Sequence, residues 1–348
     1  MTDAAAEAQS AAPGGEAAAH APHGPAPVRA MVGMAGLFVV SIGLAMVAAP
    51  IYAAEIGPIF SDPENVGNAA VYLGIVVAFT ALILLIARYK KAWLIKGIIL
   101  GAVLLSLVYL FGPLFSAALR PRLGDAGITA AWAGAAVLAT ALTIALYKHP
   151  EWWVVDAVGV GVAAGACAYF GISFGLLPSL ALLIAFAAYD AIAVYRTKHM
   201  IALADNVMDL QLPVMLIVPK HRGYSFLREK AKLKEKLEKG EEREALFMGL
   251  GDVVIPGVLV VSALWFLNPA AYPPDQLPAW MPAASGGVPP WLLVSLGAFA
   301  GALAGYAFLM TMVARGKAHA GLPSLNGGAI LGFLLALLPL YGLGPLTT

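Results

Sequence analysis

The sequence predicts an all-α polytopic membrane protein with about nine transmembrane helices, and composition and the length of the apolar runs carry that prediction. Of the 348 residues, 61% are hydrophobic and only 12% charged, with a mean hydropathy of +0.83. That is more apolar surface than one globular core can hide. A spanning helix needs about 20 apolar residues, and about nine such runs follow one another along the chain, leaving little length for a soluble domain. A formal net charge of +1 argues against a nucleic-acid partner. The lone Cys167 excludes an internal disulfide framework and, inside an apolar run, reads as a buried structural thiol.

Taken in order, residues 1–28 are mostly Ala, Pro, Gly and Glu. Such a composition cannot bury enough surface to order itself, so a disordered tail is expected. His20 and His23 have no Cys or further His nearby and are not read as a metal site. No signal peptide is read, because the first apolar run starts late and only Arg29 precedes it closely. The expected spans are 31–52, 69–87, 92–115, 128–146, 152–170, 176–195, 245–267, 291–313 and 322–343.

Basic residues then sort the loops. Arg88, Lys90 and Lys91 follow the second span, Lys148 the fourth, Arg196 and Lys198 the sixth, Arg315 and Lys317 the eighth, all on one side. The opposite loops hold Glu55, Asp62, Glu64 and Asp275, with Arg120 and Arg122 as exceptions. The positive-inside rule therefore places the N-terminus in the cytoplasm and the C-terminus outside a cell membrane. Lys96 agrees, since it can snorkel to the same inner face.

The organisation expected is a tail over 1–28, six helices over 29–195, a charged cytoplasmic loop over 196–244 and three helices over 245–348. The loop holds eleven of the 21 Lys and Arg residues. Within it, Met200, Leu203, Val207 and Leu210 make an apolar stripe at helical spacing, suited to a membrane surface. Residues 212–218 are apolar, β-branched toward their end and too brief to span. Residues 228–243 read as a charged helix supported by Lys234 with Glu238 and Glu235 with Lys239, a solvated arm. Both 214–218 and 244–247 are short enough to be extended, and could take an added strand from an unwound substrate.

In the fifth span Gly159, Gly161 and Gly165 are one residue too widely spaced for a dinucleotide fingerprint. A small-residue packing stripe fits the apolar run better. Asp156, near Trp152 and Trp153, reads as an interfacial residue in the first turn of that span.

Two acids stand out. Asp252 closes Gly249-Leu250-Gly251-Asp252 within an apolar run, and Asp190 follows Tyr189 near the inner end of the run before it. An ionised Asp amid a spanning helix costs about 2.5–3.5 kcal/mol even on gentle insertion scales, so such an acid is a functional candidate by default. Gly249 and Gly251, without Cβ atoms, would let another backbone approach and let the helix loosen before the acid. The two carboxylates fall at similar depth, roughly 9–10 Å below one face at about 1.5 Å per residue. Antiparallel neighbours would bring them level. Two carboxylates that share a site cannot both ionise readily, so the pair holds one proton and can supply both a base and an acid for activating water. The membrane runs contain no histidine, and no metalloprotease motif occurs. A cation channel or secondary transporter could also use paired intramembrane acids. A third element is Gly321-Leu322-Pro323-Ser324-Leu325, where the proline removes a backbone donor at the start of the last span.

With all three in hand, the chain resembles the intramembrane aspartyl proteases of the presenilin and signal peptide peptidase family, and is similar to prokaryotic, archaeal-type presenilin homologues. The family's marks are Y-D in the sixth span, G-x-G-D in the seventh and P-A-L in the ninth. Here they read Tyr189-Asp190, Gly249-Leu250-Gly251-Asp252 and Pro323-Ser324-Leu325, with Ser324 where Ala is usual. The resemblance covers everything but the tail. It implies that Asp190 and Asp252 are catalytic, and that Tyr189, Gly249, Leu250, Gly251, Pro323, Ser324 and Leu325 shape the site and hold the transmembrane helix of a substrate protein. It implies neither a metal nor an organic cofactor, and it leaves accessory subunits unspecified.

Overall fold

The computed structural model describes residues 28–89, 92–192, 215–221, 223–225, 244–273, 275, 277–282, 287–314 and 320–347. The tail expected over 1–28, all but its last residue, lies outside them. So do the amphipathic stretch 199–210 and the charged helix 228–243.

Among the described residues the apolar runs form nine α-helices: α1 (Val28–Glu55), α2 (Gly67–Arg88), α3 (Ala92–Leu123), α4 (Asp125–Lys148), α5 (Trp152–Ser173), α6 (Leu176–Ile192), α7 (Leu250–Phe266), α8 (Pro290–Ala314) and α9 (Leu322–Tyr341). Six are long and apolar enough to cross a membrane, while α6, α7 and the apolar part of α2 are shorter. At about 1.5 Å per residue, the 17 residues of α7 reach roughly 25 Å, short of a hydrocarbon core of about 30 Å.

The shortness of α7 corrects one expectation. The run 245–267 reads as a single helix by hydropathy, but its first five residues form strand β2 (Ala245–Gly249) and the helix starts at Leu250. The partner is β1 (Met215–Pro219), the apolar segment too brief to span, paired antiparallel with Leu216 opposite Met248 and Val218 opposite Leu246. Both short stretches expected to be extendable are therefore strands. Each satisfies the other's backbone groups, as a non-helical segment at membrane depth must. The third helix also outruns its expected end, and Arg120 and Arg122 sit in its last turn, where cations suit a helix C-terminus. Arg120 lies 3.8 Å from Glu55 at the end of α1, so one of the two charges that broke the loop pattern is paired.

α7 occupies the centre of the bundle, packed by α1, α5, α6, α8 and α9. Its burial on nearly all sides, from Pro256 through Leu264, explains why this run is apolar all round rather than on one stripe. α5 meets it where glycine allows: a Cβ on Gly257 would strike Cys167, and one on Gly171 would strike Val261. Cys167 is fully buried, as its apolar setting suggests. The stripe in α5 is a packing surface, with Gly161 and Gly165 both against Leu110 of α3. α8 and α9 form the most extensive helix pair. A Cβ on Gly301 would fall on the carbonyl of Gly328, and one on Gly305 on the carbonyl of Ser324. α2, by contrast, exposes Val71, Ile75, Val77, Phe79, Leu82 and Leu85, the surface that lipid covers in a membrane protein.

Candidate active site

β2 ends at Gly249, whose extended backbone (φ −66°, ψ 143°) caps α7. Asp252 is consequently the third residue of the helix, where an acidic side chain favours the N-terminal dipole. Its carboxylate turns back toward the strand end, where a Cβ on Gly249 would lie 3.4 Å from Asp252 Oδ2, the direction in which an N3 acid reaches in a capping box. The same glycine thus ends a strand, starts a helix and lies beside the acid. Gly251 and Gly249 are exposed, and a Cβ on Gly251 would meet nothing within 4 Å. No described backbone crowds them, so the space beside this turn is open.

Asp190 lies in the last described turn of α6, half-buried. α6 and α7 pack together. The two acids lie at one end of the bundle, each beside the first turn of α9.

The N-terminus of α9 joins them. Leu322 donates its N–H to Asp190 Oδ2 at 3.1 Å. Gly321 faces Asp252: a Cβ there would lie 3.7 Å from Asp252 Oδ1. The first N–H groups of a helix have no partner within it, and Pro323 at N2 removes the next donor at little cost. An N-terminus with a free donor on a carboxylate is a ready anion site. Sequence reasoning quoted Gly321 and Leu322 but gave them no role. Their position just before a helix-starting proline was the available signal.

The other expected site residues are dispersed around this centre. Tyr189 is 51% exposed, whereas Leu250 and Leu325 are core residues at 7% and 0%. Leu250 packs toward Gly159 of α5. Ser324 is half-buried, with its carbonyl against Gly305 of α8. One turn along α9 from Leu322, Asn326 is fully buried and donates to the Leu183 carbonyl of α6 at 2.9 Å. The α6–α9 contact is thus tied twice on one face. Asp156, expected near the membrane interface, is buried within the protein at 6% exposure and accepts from the backbone of β1. Among the described residues no three His, Cys, Asp or Glu side chains converge as metal ligands do.

Comparison with known proteins identifies the family. The family model described as signal-peptide peptidase, presenilin aspartyl protease matches residues 34–341. Two solved structures of a presenilin family intramembrane aspartate protease, in the C222 and P2 space groups, are each 33% identical to this chain. Each covers 88% of this chain and 96% of its own, with TM-scores of 0.56 and 0.59. No curated protein sequence matches. The chain therefore belongs to the presenilin and signal-peptide peptidase family of intramembrane aspartyl proteases, and is a multi-pass membrane hydrolase.

Proposed function

We propose that Asp190 and Asp252 are the catalytic pair, and that they hydrolyse peptide bonds in the transmembrane segments of other membrane proteins. The observation that carries this reading is the shared turn of α9: Leu322 donates to Asp190 while Gly321 faces Asp252. A donor from a helix N-terminus favours negative charge on Asp190. Asp190 then takes a proton from the attacking water, and Asp252, beside that charge, keeps its proton and donates to the developing oxyanion. The roles exchange as the tetrahedral intermediate collapses. Two carboxylates coupled in this way titrate as a pair.

A helical substrate hides its scissile carbonyls in its own hydrogen bonds, so the segment must unwind. β1 and β2, leading directly into Gly249, support addition of the unwound segment as a strand. The residues after Asp252 in α7 and the Pro323-Ser324-Leu325 turn would flank it. The ends of α6 and α7 that carry the acids face the cytoplasm in this proposal, since Arg88 and Lys148 close α2 and α4 at that side.

Incubation of purified protein with a transmembrane peptide, followed by mass spectrometry, tests the assignment. Wild type should produce defined fragments and Asp252→Ala none. Fragments of equal yield from a folded Asp252→Ala would end it.

A further inference from the structure

We propose that Asp156 of α5 is a positioning residue for the strand pair, closing the outer edge of β1 with its carboxylate. This rests on the protease reading above but concerns a residue outside the two acids and the α9 turn.

Asp156 Oδ1 accepts the N–H of Ile217 at 2.7 Å across 61 residues of chain. The direction of that N–H follows from the register. Lys220 donates to the Glu244 carbonyl at 2.9 Å, beyond the last strand pair. Antiparallel pairs alternate between bonded and non-bonded, so Val218–Leu246 and Leu216–Met248 are the bonded pairs and Ile217–Phe247 is not. The N–H of Ile217 therefore points away from β2, out of the sheet. Two positions further on, Pro219 has no N–H to offer. An acid on one donor and a proline at the next close an edge that would otherwise be a template for another strand.

The same helix grips the neighbouring side chains. A Cβ at Gly159, on the next turn of α5, would lie 3.0 Å from Leu216 and 3.3 Å from Leu250. Leu216 and Ile217 are both fully buried. α5 thus fixes β1 by backbone and side chain, β1 fixes β2 by its ladder, and β2 runs into Gly249 and the first turn of α7. Movement of β1 would shift both the open strand edge and Asp252. A charge-assisted bond, stronger than a neutral one, is suited to holding that chain of contacts.

Three variants test the assignment. Asp156→Leu keeps the approximate size without an acceptor, and Asp156→Asn keeps the Oδ1 acceptor without the charge. Ile217→Pro removes the donor and no rung of the β1–β2 ladder. Hydrogen exchange is read by mass spectrometry on peptides covering residues 215–219, and kcat, KM and cleavage positions are read on a transmembrane peptide. Asp156→Leu and Ile217→Pro should each speed exchange in β1 and lower kcat/KM about tenfold. Each should also scatter the cleavage positions, which a loss of folded protein would not do. The double variant should be no worse than the worse single one, and Asp156→Asn should keep at least about half of wild-type kcat/KM, since its acceptor survives. Unchanged exchange in Asp156→Leu would overturn the proposal. So would unchanged cleavage positions with activity lost only in proportion to folded protein, or an Asp156→Asn as impaired as Asp156→Leu. Should Asp156→Leu fail to fold, Ile217→Pro decides by the same readings. A wild type that cleaves no transmembrane peptide overturns the catalytic reading and the positioning role with it, whereas exchange still decides whether Asp156 holds β1.

Discussion

Proline at Leu246 tests whether the paired strands matter to catalysis on helical substrates. The register places Leu246 opposite Val218 in a hydrogen-bonded pair, so Leu246→Pro deletes one rung. It also leaves the Val218 carbonyl without its donor in a site poor in water. The lost bond is worth about 1 kcal/mol and the unsatisfied carbonyl about 1–3 kcal/mol. A total of about 2–4 kcal/mol lowers the paired population about 30-fold or more. Ala245→Pro is the comparison. Ala245 stands opposite Pro219 in a non-bonded pair, so its N–H faces out of the sheet and the ladder survives its loss. The assay is kcat/KM on a helical transmembrane substrate and on a short peptide that is already extended. Leu246→Pro should lower cleavage of the helical substrate at least about tenfold, a 1.4 kcal/mol effect, and spare the short peptide more. Ala245→Pro should cost about fivefold on the helical substrate, the worth of one substrate bond. If Leu246→Pro depressed both substrates equally, or neither, strand addition would have to be abandoned.

Other outcomes are expected. Asp190→Ala and Asp252→Ala should each abolish cleavage in folded protein, and the double variant should be no worse than either, because the pair acts as a unit; residual activity in one single variant would dissolve the pairing. The pH–rate profile should be bell-shaped, with both limbs belonging to the pair, and a flat profile in folded protein would count against a shared proton. Gly305→Ala should cost about 1–3 kcal/mol and reduce activity, because its methyl meets the Ser324 carbonyl and pushes α9 away from Asp190. Gly327→Ala, with nothing within 4 Å of the new methyl, should instead hold or gain up to about 1 kcal/mol, as thermal unfolding would show. At the opposite end of the bundle, burial and then the neighbouring Asp62 raise the Glu64 carboxyl above its ordinary range, against a backbone hydrogen bond from Leu176 that lowers it. The folded chain then holds this proton more tightly than the unfolded one, so Glu64 makes stability fall as pH rises through its titration range. Glu64→Gln should flatten that slope, and an unchanged slope would show that the carboxyl is solvated.

The helices and the acids were legible because lipid imposes strong rules. A span must be apolar for about 20 residues, and a charge within one stands out. Nine runs could be drawn and Asp190 and Asp252 singled out without any tertiary information. The strand in 245–249 was harder. Ala245, Leu246, Phe247 and Met248 are as apolar as the helix they precede, and only a partner 30 residues upstream makes the extended form stable. The role of Asp156 was hidden for the same reason: an acid near two tryptophans at a helix start gives no sign that Ile217, 61 residues on, will donate to it. The choice of a proline test site depended on register too, since neighbouring positions 245 and 246 differ only in which way their N–H groups point. Gly321 and Leu322 lay in plain view, but that Leu322 donates to Asp190 depends on how α9 leans on α6, which glycines on α8 decide.

Pro256 lies four residues after Asp252 within α7, and so cannot supply the N–H that would bind the Asp252 carbonyl. The first turn of the central helix therefore lacks the rung that would make the acid rigid with the rest of the rod. The Asp252 carboxylate lies between groups outside that rung, Gly249 and the Gly321 turn. A shift of the last helix would consequently carry the Gly321 turn away from Asp252 while α7 itself stays straight, and because α8 interlocks with that helix the two would have to move together.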